Sequence, residues 1–97
     1  MRLCEVILFG PIGLFYHMAQ QSEHERIQEF FSKLGKRIRQ LRKEKGYTSH
    51  EDFANRHKIS RSQYGKYERG AEMQISTVVK IAEALDVSLS EFFSEGF

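Results

Sequence analysis

Residues 59–70 read ISRSQYGKYERG and contain the clearest local structural signals in the chain. Ser60 is a residue type that caps the start of a helix, and Gly70 is one that follows the end of a helix. The stretch therefore predicts a short helix over residues 61–69. At about 100° per residue, this helix has two faces of different chemistry. One face carries Tyr64, Tyr67 and Glu68, and the opposite face carries Ser62, Gly65, Lys66 and Arg69.

The polar face of this helix carries residue types that bind DNA. We expect the tyrosine face to pack inside the protein and the other face, including Gly65, to be exposed. Arg61 lies in the first turn of the helix, and Gln63 lies at its flank. Arg and Lys hydrogen-bond guanine O6 and N7, Gln pairs with adenine or phosphate, and Ser contacts bases or backbone. Gly65 either lets the helix backbone lie close to DNA or is an incidental exposed glycine.

A long helix is predicted upstream. Ser22 and Glu25 have the spacing of a capping box, in which each side chain accepts a hydrogen bond from the backbone amide of the other residue. The apolar residues that follow recur at intervals of three or four until about Lys45, and Gly46 ends the helix. They are Ile27, Phe31, Leu34, Ile38 and Leu41.

Three shorter helices complete the predicted fold. Thr48 or Ser49 caps a helix that turns Phe53 inward and ends near residue 57. Residues 75–85 and a last turn at 89–93 again show helical spacing. The fold class is therefore all-α with five helices, and the second and third form a helix-turn-helix candidate.

Together these motifs resemble the Cro and lambda-repressor-type helix-turn-helix family over about residues 34–93. The resemblance rests on LGKRIRQLRKEKG at 34–46, FA at 53–54, ISRS at 59–62, YERG at 67–70 and IAEAL at 81–85. It implies a repressor-like domain that inserts residues 61–69 into the major groove of double-stranded DNA. The base-contacting positions of the family match Arg61, Ser62 and Lys66. A structural ion pair between the first and third helices matches Arg42 and Glu68.

The sequence departs from the family pattern in the second helix. The family usually has one residue fewer between Gly46 and Ala54, and often begins this helix with a Gln that contacts phosphate. His50 falls closest to that position, and an imidazole can donate to phosphate. Tyr64 stands where the family usually has a smaller aliphatic residue. The predicted DNA-binding residues are His50, Ser60, Arg61, Ser62, Gln63, Gly65, Lys66 and Arg69.

Basic residues are concentrated in the middle of the chain. The net charge is only +2, from 15 basic and 13 acidic residues. Residues 33–70 contain 12 Lys or Arg and 4 Asp or Glu, a difference of +8, whereas the remainder contains 3 and 9, a difference of −6. This segregation favours a polyanionic partner. The alternative is a solvated helix face, which we expect for Lys36, Arg37, Arg39, Lys43 and Lys45.

The composition excludes several classes of protein. A chain of 97 residues has room for one core. Its single cysteine, Cys4, can form neither an internal disulfide nor a zinc site of paired cysteines, so we expect a reducing, cytoplasmic location. The four histidines are scattered, and the chain has no glycine-rich phosphate loop and no nucleophile with an oriented base. We therefore predict no metal site, no cofactor and no enzymatic activity.

Residues 1–21 form an apolar N-terminal extension to the predicted DNA-binding domain at 22–97. Gly10 and Pro11 interrupt the extension, and its apolar run is shorter than the roughly twenty residues of a membrane span, so we expect no membrane contact. Two interpretations stay open. The extension is a short hairpin of two strands, or it is a start-site artefact and the natural protein begins at Met18.

These observations predict a sequence-specific transcriptional regulator, a repressor of a bacterium or phage. Five short helices need fewer large apolar residues than the chain has, which predicts a self-association surface and a homodimer. The surplus residues are Ile27, Phe30, Phe31, Phe92 and Phe97. The alternative is a protein-interaction module, such as an antitoxin that neutralises a partner protein through the extension or the first helix. An adjacent toxin-like reading frame would favour the antitoxin, and an adjacent divergent promoter would favour the repressor.

Overall fold

The computed structural model describes residues 22–97, which contain five helices and no strand. The helices are α1 (Glu23–Glu44), α2 (His50–Arg56), α3 (Arg61–Glu68), α4 (Ile75–Ala84) and α5 (Leu89–Phe92). The prediction of an all-α fold with five helices is confirmed for these residues. In this part of the chain, none of the helices combines the length and the apolar character needed to cross a membrane. The N-terminal extension lies outside the described residues, so both predictions for it stay predictions.

α1 begins and ends where the sequence predicts. The Ser22 hydroxyl accepts a hydrogen bond from the Glu25 amide at 3.1 Å, and the Glu25 carboxylate accepts one from the Ser22 amide, also at 3.1 Å. These two bonds complete the capping box and satisfy two amides that have no partner inside the helix. At the other end, Gly46 adopts a φ of +94°, a conformation that costs glycine little. The intervening 22 residues span about 33 Å.

The core is formed by apolar side chains from all five helices. Its largest fully buried members are Leu34, Ile38, Phe53, Tyr64, Ile81, Leu85 and Phe92. The prediction that Phe92 belongs to an exposed apolar surplus is wrong, because α5 turns this ring into the core. Phe31 is half-buried against the same core, whereas Ile27, Phe30 and Phe97 are exposed.

α1 and α3 approach closely at Gly35. A Cβ atom at this position would lie 2.6 Å from the carbonyl oxygen of Tyr67 and 2.7 Å from that of Glu68. Both atoms belong to the backbone of α3, so they cannot move aside as the end of a flexible side chain could. The missing side chain therefore allows the middle of α1 to lie against the C-terminal end of α3.

Arg37 joins α1 to α5, and the prediction that it belongs to a solvated face is wrong. Its side chain is buried, and its Nε and Nη2 atoms donate to the carbonyl oxygens of Phe92 at 2.7 Å and Glu91 at 2.8 Å. α5 has only four residues, so its last carbonyls have no partner inside the helix. The Arg37 guanidinium satisfies two of them and holds the end of the chain against α1.

We predict that Gly35→Ala destabilises the domain. Replacing glycine with alanine favours a helix by about 1 kcal/mol. The new Cβ would however overlap two carbonyls of α3, and overpacking of this kind costs typically about 1–3 kcal/mol. Urea denaturation should therefore show a lower free energy of unfolding for the variant. Lys36→Ala changes a neighbouring exposed position of the same helix and should have little effect. A Gly35→Ala protein at least as stable as its parent would contradict the close approach of α1 and α3.

Candidate nucleic-acid interface

A tight turn at residues 57–60 fixes α3 relative to α2. Lys58 adopts a left-handed φ of +58°, which reverses the chain direction. The Ile59 amide then donates to the Ala54 carbonyl at 2.8 Å. The Ile59 side chain is half-buried against the core and anchors the corner between the two helices.

Serine residues cap the starts of both helices. The Ser49 hydroxyl accepts from two amides in the first turn of α2, at 3.1 and 3.2 Å. The Ser60 hydroxyl accepts from the Gln63 amide at 3.4 Å. Because these caps set the helix starts, His50 is the first residue of α2 and Arg61 is the first residue of α3.

α3 has one buried side and one exposed side. Tyr64 and Tyr67 are buried, and the Glu68 side chain points the same way and is largely buried, as the helical spacing predicts. The exposed side carries five of the predicted site residues, which are Arg61, Ser62, Gln63, Lys66 and Arg69. The Ser60 cap at the start of α3 is exposed as well. The helix thus offers polar and cationic side chains to a partner while its aromatic rings pack inside the domain.

Gly65 lies on the buried side of α3, so the prediction that it is exposed is wrong. A Cβ atom on this residue would lie 3.3 Å from Nε2 of His50 and 3.4 Å from Nη1 of Arg69. Side chains from α2 and from the end of α3 therefore cover this glycine. Helical spacing alone cannot predict this burial, because the burial depends on side chains outside the helix itself. The space left by the missing side chain accommodates the His50 ring.

His50 lies between two shallow clefts beside α3. Its ring stacks on that of Tyr64, with centroids 6.5 Å apart and planes inclined by 26°. The first cleft is lined by His50, Glu51, Ser60, Arg61 and Ser62. The second cleft is lined by Arg39, Arg42, His50, Gly65, Glu68 and Arg69. The structure thus brings the start of α2 and both ends of α3 to one continuous surface.

Arg39 is a member of this surface that the sequence analysis left among the solvated basic residues. It is exposed on α1 and lines the second cleft together with Arg69. One signal in the sequence could have identified it. Arg39 precedes Arg42 by three residues and therefore lies one helical turn away, on the side of α1 that meets α3.

Arg42 and Glu68 form a bidentate ion pair between α1 and α3. Nε of Arg42 donates to Oε2 of Glu68 at 2.7 Å, and Nη2 donates to Oε1 at 3.2 Å. Nη1 donates to the Tyr47 carbonyl at 2.8 Å, which attaches the loop before α2 to the same guanidinium. Both charged side chains are at least nine-tenths buried. Hydrogen bonds from Arg42 to Glu68 raise the pKa of Arg42, although its burial acts in the opposite direction.

The Tyr64 hydroxyl is buried beside this ion pair without a hydrogen-bond partner of its own. Burial raises the pKa of Tyr64 above the ordinary value for tyrosine, and the nearby carboxylate of Glu68 raises it further. The guanidinium of Arg42 has the opposite, weaker effect. The hydroxyl therefore keeps its proton in the folded domain at a pH where a solvated tyrosine ionises.

Two short helices, a tight turn between them and an exposed polar face on the second define the chain as a helix-turn-helix protein. Residues 38–92, more than half of the chain, match the helix-turn-helix family model of the Cro/C1 type. The chain belongs to this family and is a DNA-binding regulator of the helix-turn-helix class. No curated protein and no solved structure is significantly similar to it.

The family is not typically enzymatic. Within residues 22–97, no group of three or more His, Cys, Asp or Glu side chains is arranged to hold a metal ion. The chemistry of the surface beside α3 is mainly that of hydrogen-bond donors and positive charge. Guanidinium, ammonium, imidazole, amide and hydroxyl groups surround the exposed side of one helix. Two carboxylates also line the clefts: Glu51 is exposed in the first turn of α2, and Glu68 is paired with Arg42.

We predict that Tyr64→Phe increases the free energy of unfolding by about 1 kcal/mol, because it removes a buried hydroxyl that has no partner. The variant should also resist alkali better. Above a pH of about 10 the unfolded chain loses the tyrosine proton while the folded domain keeps it, so the parent loses stability as the pH rises. Urea denaturation at neutral pH and at alkaline pH measures both effects.

Tyr47→Phe is the matched control for this experiment. The Tyr47 hydroxyl lies 3.3 Å from Nε2 of His57, so it has a partner, and the residue is only half-buried. Its removal should leave the alkaline loss of stability in place. A Tyr64→Phe domain that is clearly less stable than its parent would show that the hydroxyl makes a favourable bond, contrary to the geometry.

Proposed function

We propose that the protein is a sequence-specific transcriptional repressor that inserts α3 into the major groove of DNA. The observation that carries this proposal is the division of α3 into a buried tyrosine side and an exposed side of Arg, Ser, Gln and Lys. A helix of this kind fits the major groove, where each base pair presents a distinct pattern of donors and acceptors. We assign the contacts with base edges to Arg61, Ser62 and Lys66.

We assign the contacts with the DNA backbone to residues around these three. His50 supports this assignment because it begins α2 and its ring lies beside α3. Ser60 and Gln63 are exposed at the start of the helix, and Arg69 is exposed at its end next to Arg39. We assign Gly65 no contact with DNA. Its role is to leave room for the His50 ring. Each phosphate contact makes the affinity more sensitive to salt. The logarithm of the binding constant falls as the logarithm of the salt concentration rises, with a slope of about 0.9 for each contact.

The proposed active form is a homodimer on a roughly palindromic operator. Proteins of this architecture read two half-sites about 34 Å apart, one turn of the duplex, with one helix of each copy. We place the protein in the cytoplasm of a bacterium or phage-infected cell, where it would regulate by occupying promoter DNA.

We predict that Arg61→Ala and Lys66→Ala each weaken specific binding by about 1–3 kcal/mol, because each removes a contact with a base edge. Both residues are exposed, so the melting temperature should not change. Lys80→Ala is the matched control, because it removes the same charge from an exposed position on α4. Fluorescence anisotropy with operator and scrambled duplexes separates specific from general binding. Unchanged operator affinity in both α3 variants would refute the assignment.

The operator for this measurement comes from selection of bound oligonucleotides from a random pool at two salt concentrations. The proposal expects an enriched motif with two related halves and weaker binding at the higher concentration. Recovery of oligonucleotides without a common motif would show that the protein binds DNA without sequence preference, and would contradict a specific repressor.

A further inference from the structure

Two arginine side chains beside α3 have no polar partner among residues 22–97. Arg39 on α1 and Arg69 at the end of α3 are exposed and line the second cleft. Arg42 lines the same cleft, but each of its three guanidinium nitrogens already donates to a partner. Two guanidinium groups that line one cleft repel each other, and an anion between them removes this repulsion. The second cleft therefore has the charge and the donors of an anion site.

The imidazole of His50 adds a third donor to this cleft. A Cβ atom on Gly65 would lie 3.3 Å from Nε2 of His50 and 3.4 Å from Nη1 of Arg69, so both nitrogens lie close above this glycine. The cleft has a volume of about 200 Å³, whereas a water molecule in the liquid occupies about 30 Å³. It therefore has room for a group of several atoms, and three helices contribute donors to its lining.

The carboxylate that lines the second cleft is neutralised inside the protein. Both oxygens of Glu68 accept hydrogen bonds from Arg42, and the Glu68 side chain is at least nine-tenths buried. Glu51, the acid next to the start of α2, lines the first cleft instead. The positive charges of Arg39 and Arg69 therefore dominate the second cleft.

We propose that the second cleft binds one phosphate group of the DNA backbone through Arg39, Arg69 and the protonated ring of His50. This inference rests on the proposed function and deepens it, because it joins donors from three helices into one site and adds a proton to the binding step. Phosphates of the DNA backbone flank a helix that lies in the major groove, and this cleft lies beside α3. The planar guanidinium also matches the oxygens of a phosphate with pairs of N–H groups.

His50 makes this contact depend on pH. An imidazole is the side chain that changes its charge between about pH 5 and 8, and its protonated form donates from both nitrogens. A phosphate in contact with the ring favours the protonated form, so binding of DNA brings a proton to the ring. We therefore expect the affinity for DNA to rise as the pH falls through this range.

The other groups around the ring do not supply this dependence. Arginine stays charged throughout the range, and the Tyr64 hydroxyl keeps its proton. The two carboxylates are the neutralised Glu68 and the exposed Glu51. The charged and titratable groups that share a cleft or a ring contact with His50 are Arg39 and Arg42 on α1, Glu51 on α2, and Arg61, Tyr64, Glu68 and Arg69 on or next to α3.

Arg39→Gln tests the site on DNA. A phosphate contact carries no sequence information, so the variant should weaken binding to the operator and to a scrambled duplex by the same factor, about tenfold at low salt. The slope of the logarithm of the affinity against the logarithm of the salt concentration should fall by about 0.9. Fluorescence anisotropy measures both quantities, and the melting temperature shows that the variant is folded.

Arg26→Gln is the matched control for this variant. It removes the same charge from an exposed position about 20 Å earlier on the same helix, so affinity and salt dependence should stay near those of the parent. An Arg39→Gln protein with the affinity and the salt dependence of its parent would refute the site. A loss confined to the operator would show that Arg39 contacts a base, which also refutes it.

His50→Gln separates the proton from the hydrogen bond. A glutamine amide donates to phosphate but takes up no proton. The affinity of the parent should rise between about pH 8 and 6, by at most about tenfold per pH unit for one proton. His50→Gln should bind like the parent at the higher pH and show no such rise. His24→Gln, at an exposed position in the first turn of α1, should keep the rise. A rise that persists in His50→Gln would refute the protonated ring as a ligand of the phosphate.

Inorganic phosphate distinguishes DNA from a free anion as the source of the phosphate group. Titration of the full 97-residue chain should shift the NMR signals of the Arg39, His50 and Arg69 side chains, at concentrations far above those at which DNA binds. Saturation at concentrations as low as those of DNA would identify a free phosphate compound as the ligand and refute the assignment to DNA. Equal shifts at all exposed basic residues would show screening by salt without a site.

The same measurements separate this inference from the proposed function. If the parent selects an operator while Arg39→Gln and His50→Gln bind it like the parent at every pH, the phosphate site fails and the proposed function stands. If the parent selects no DNA motif but inorganic phosphate shifts the signals of Arg39, His50 and Arg69, the proposed function fails and the cleft stands as a site for a free phosphate group.

Discussion

The position of α3 depends on the ion pair between Arg42 and Glu68. A buried ion pair of this kind adds little net stability to the fold. Leaving either of its charges buried without the other, however, costs about 3–5 kcal/mol. Arrangements of α1 and α3 that separate the two groups are therefore strongly disfavoured. Gly35 acts on the same contact sterically, because it lets the helices approach until backbone meets backbone. Together, the ion pair and the glycine position the helix that carries the proposed DNA-binding side chains.

Packed rings connect the core to the surface beside α3. The Tyr64 ring packs on Phe53 with centroids 5.1 Å apart, and the His50 ring stacks on Tyr64 from the other helix of the motif. The wide ring that replaces the usual aliphatic side chain thus supports the imidazole at the start of α2. Gly65 completes the arrangement, because a side chain there would press against both His50 and Arg69. His50 on α2 thus packs against Tyr64 and Gly65 on α3, so the unusual residue of one helix contacts the unusual residues of the other.

The sequence predicts the elements of this fold better than the contacts between them. Capping residues such as Ser22, Ser60 and Gly46 act through nearby backbone groups, so their spacing alone identifies the helix ends. The two sides of α3 are likewise a local property. The buried positions of Gly65, Arg37 and Phe92 depend on elements distant in the chain, and the spacing on their own helices does not reveal them.

The candidate site shows the same division. Its members on α3 follow from helical spacing, and His50 follows from the likeness to a known family. Arg39 lies on a different helix and joins the surface through the packing of α1 on α3. Its one signal in the sequence is its place one helical turn before Arg42, and that signal has a meaning only once Arg42 is known to face α3. A contribution to a site from outside its main helix is a tertiary property, and a single sequence indicates it weakly.

The exposed and the buried positions of α3 are under different evolutionary constraints. Arg61, Ser62 and Lys66 are exposed, so they can be exchanged for other polar residues without disturbing the core. Tyr64, Gly65 and Tyr67 belong to the same short helix but are buried and are held by their neighbours. The chemistry of the exposed side of α3 can therefore change in a descendant of this chain while the buried scaffold is inherited unchanged.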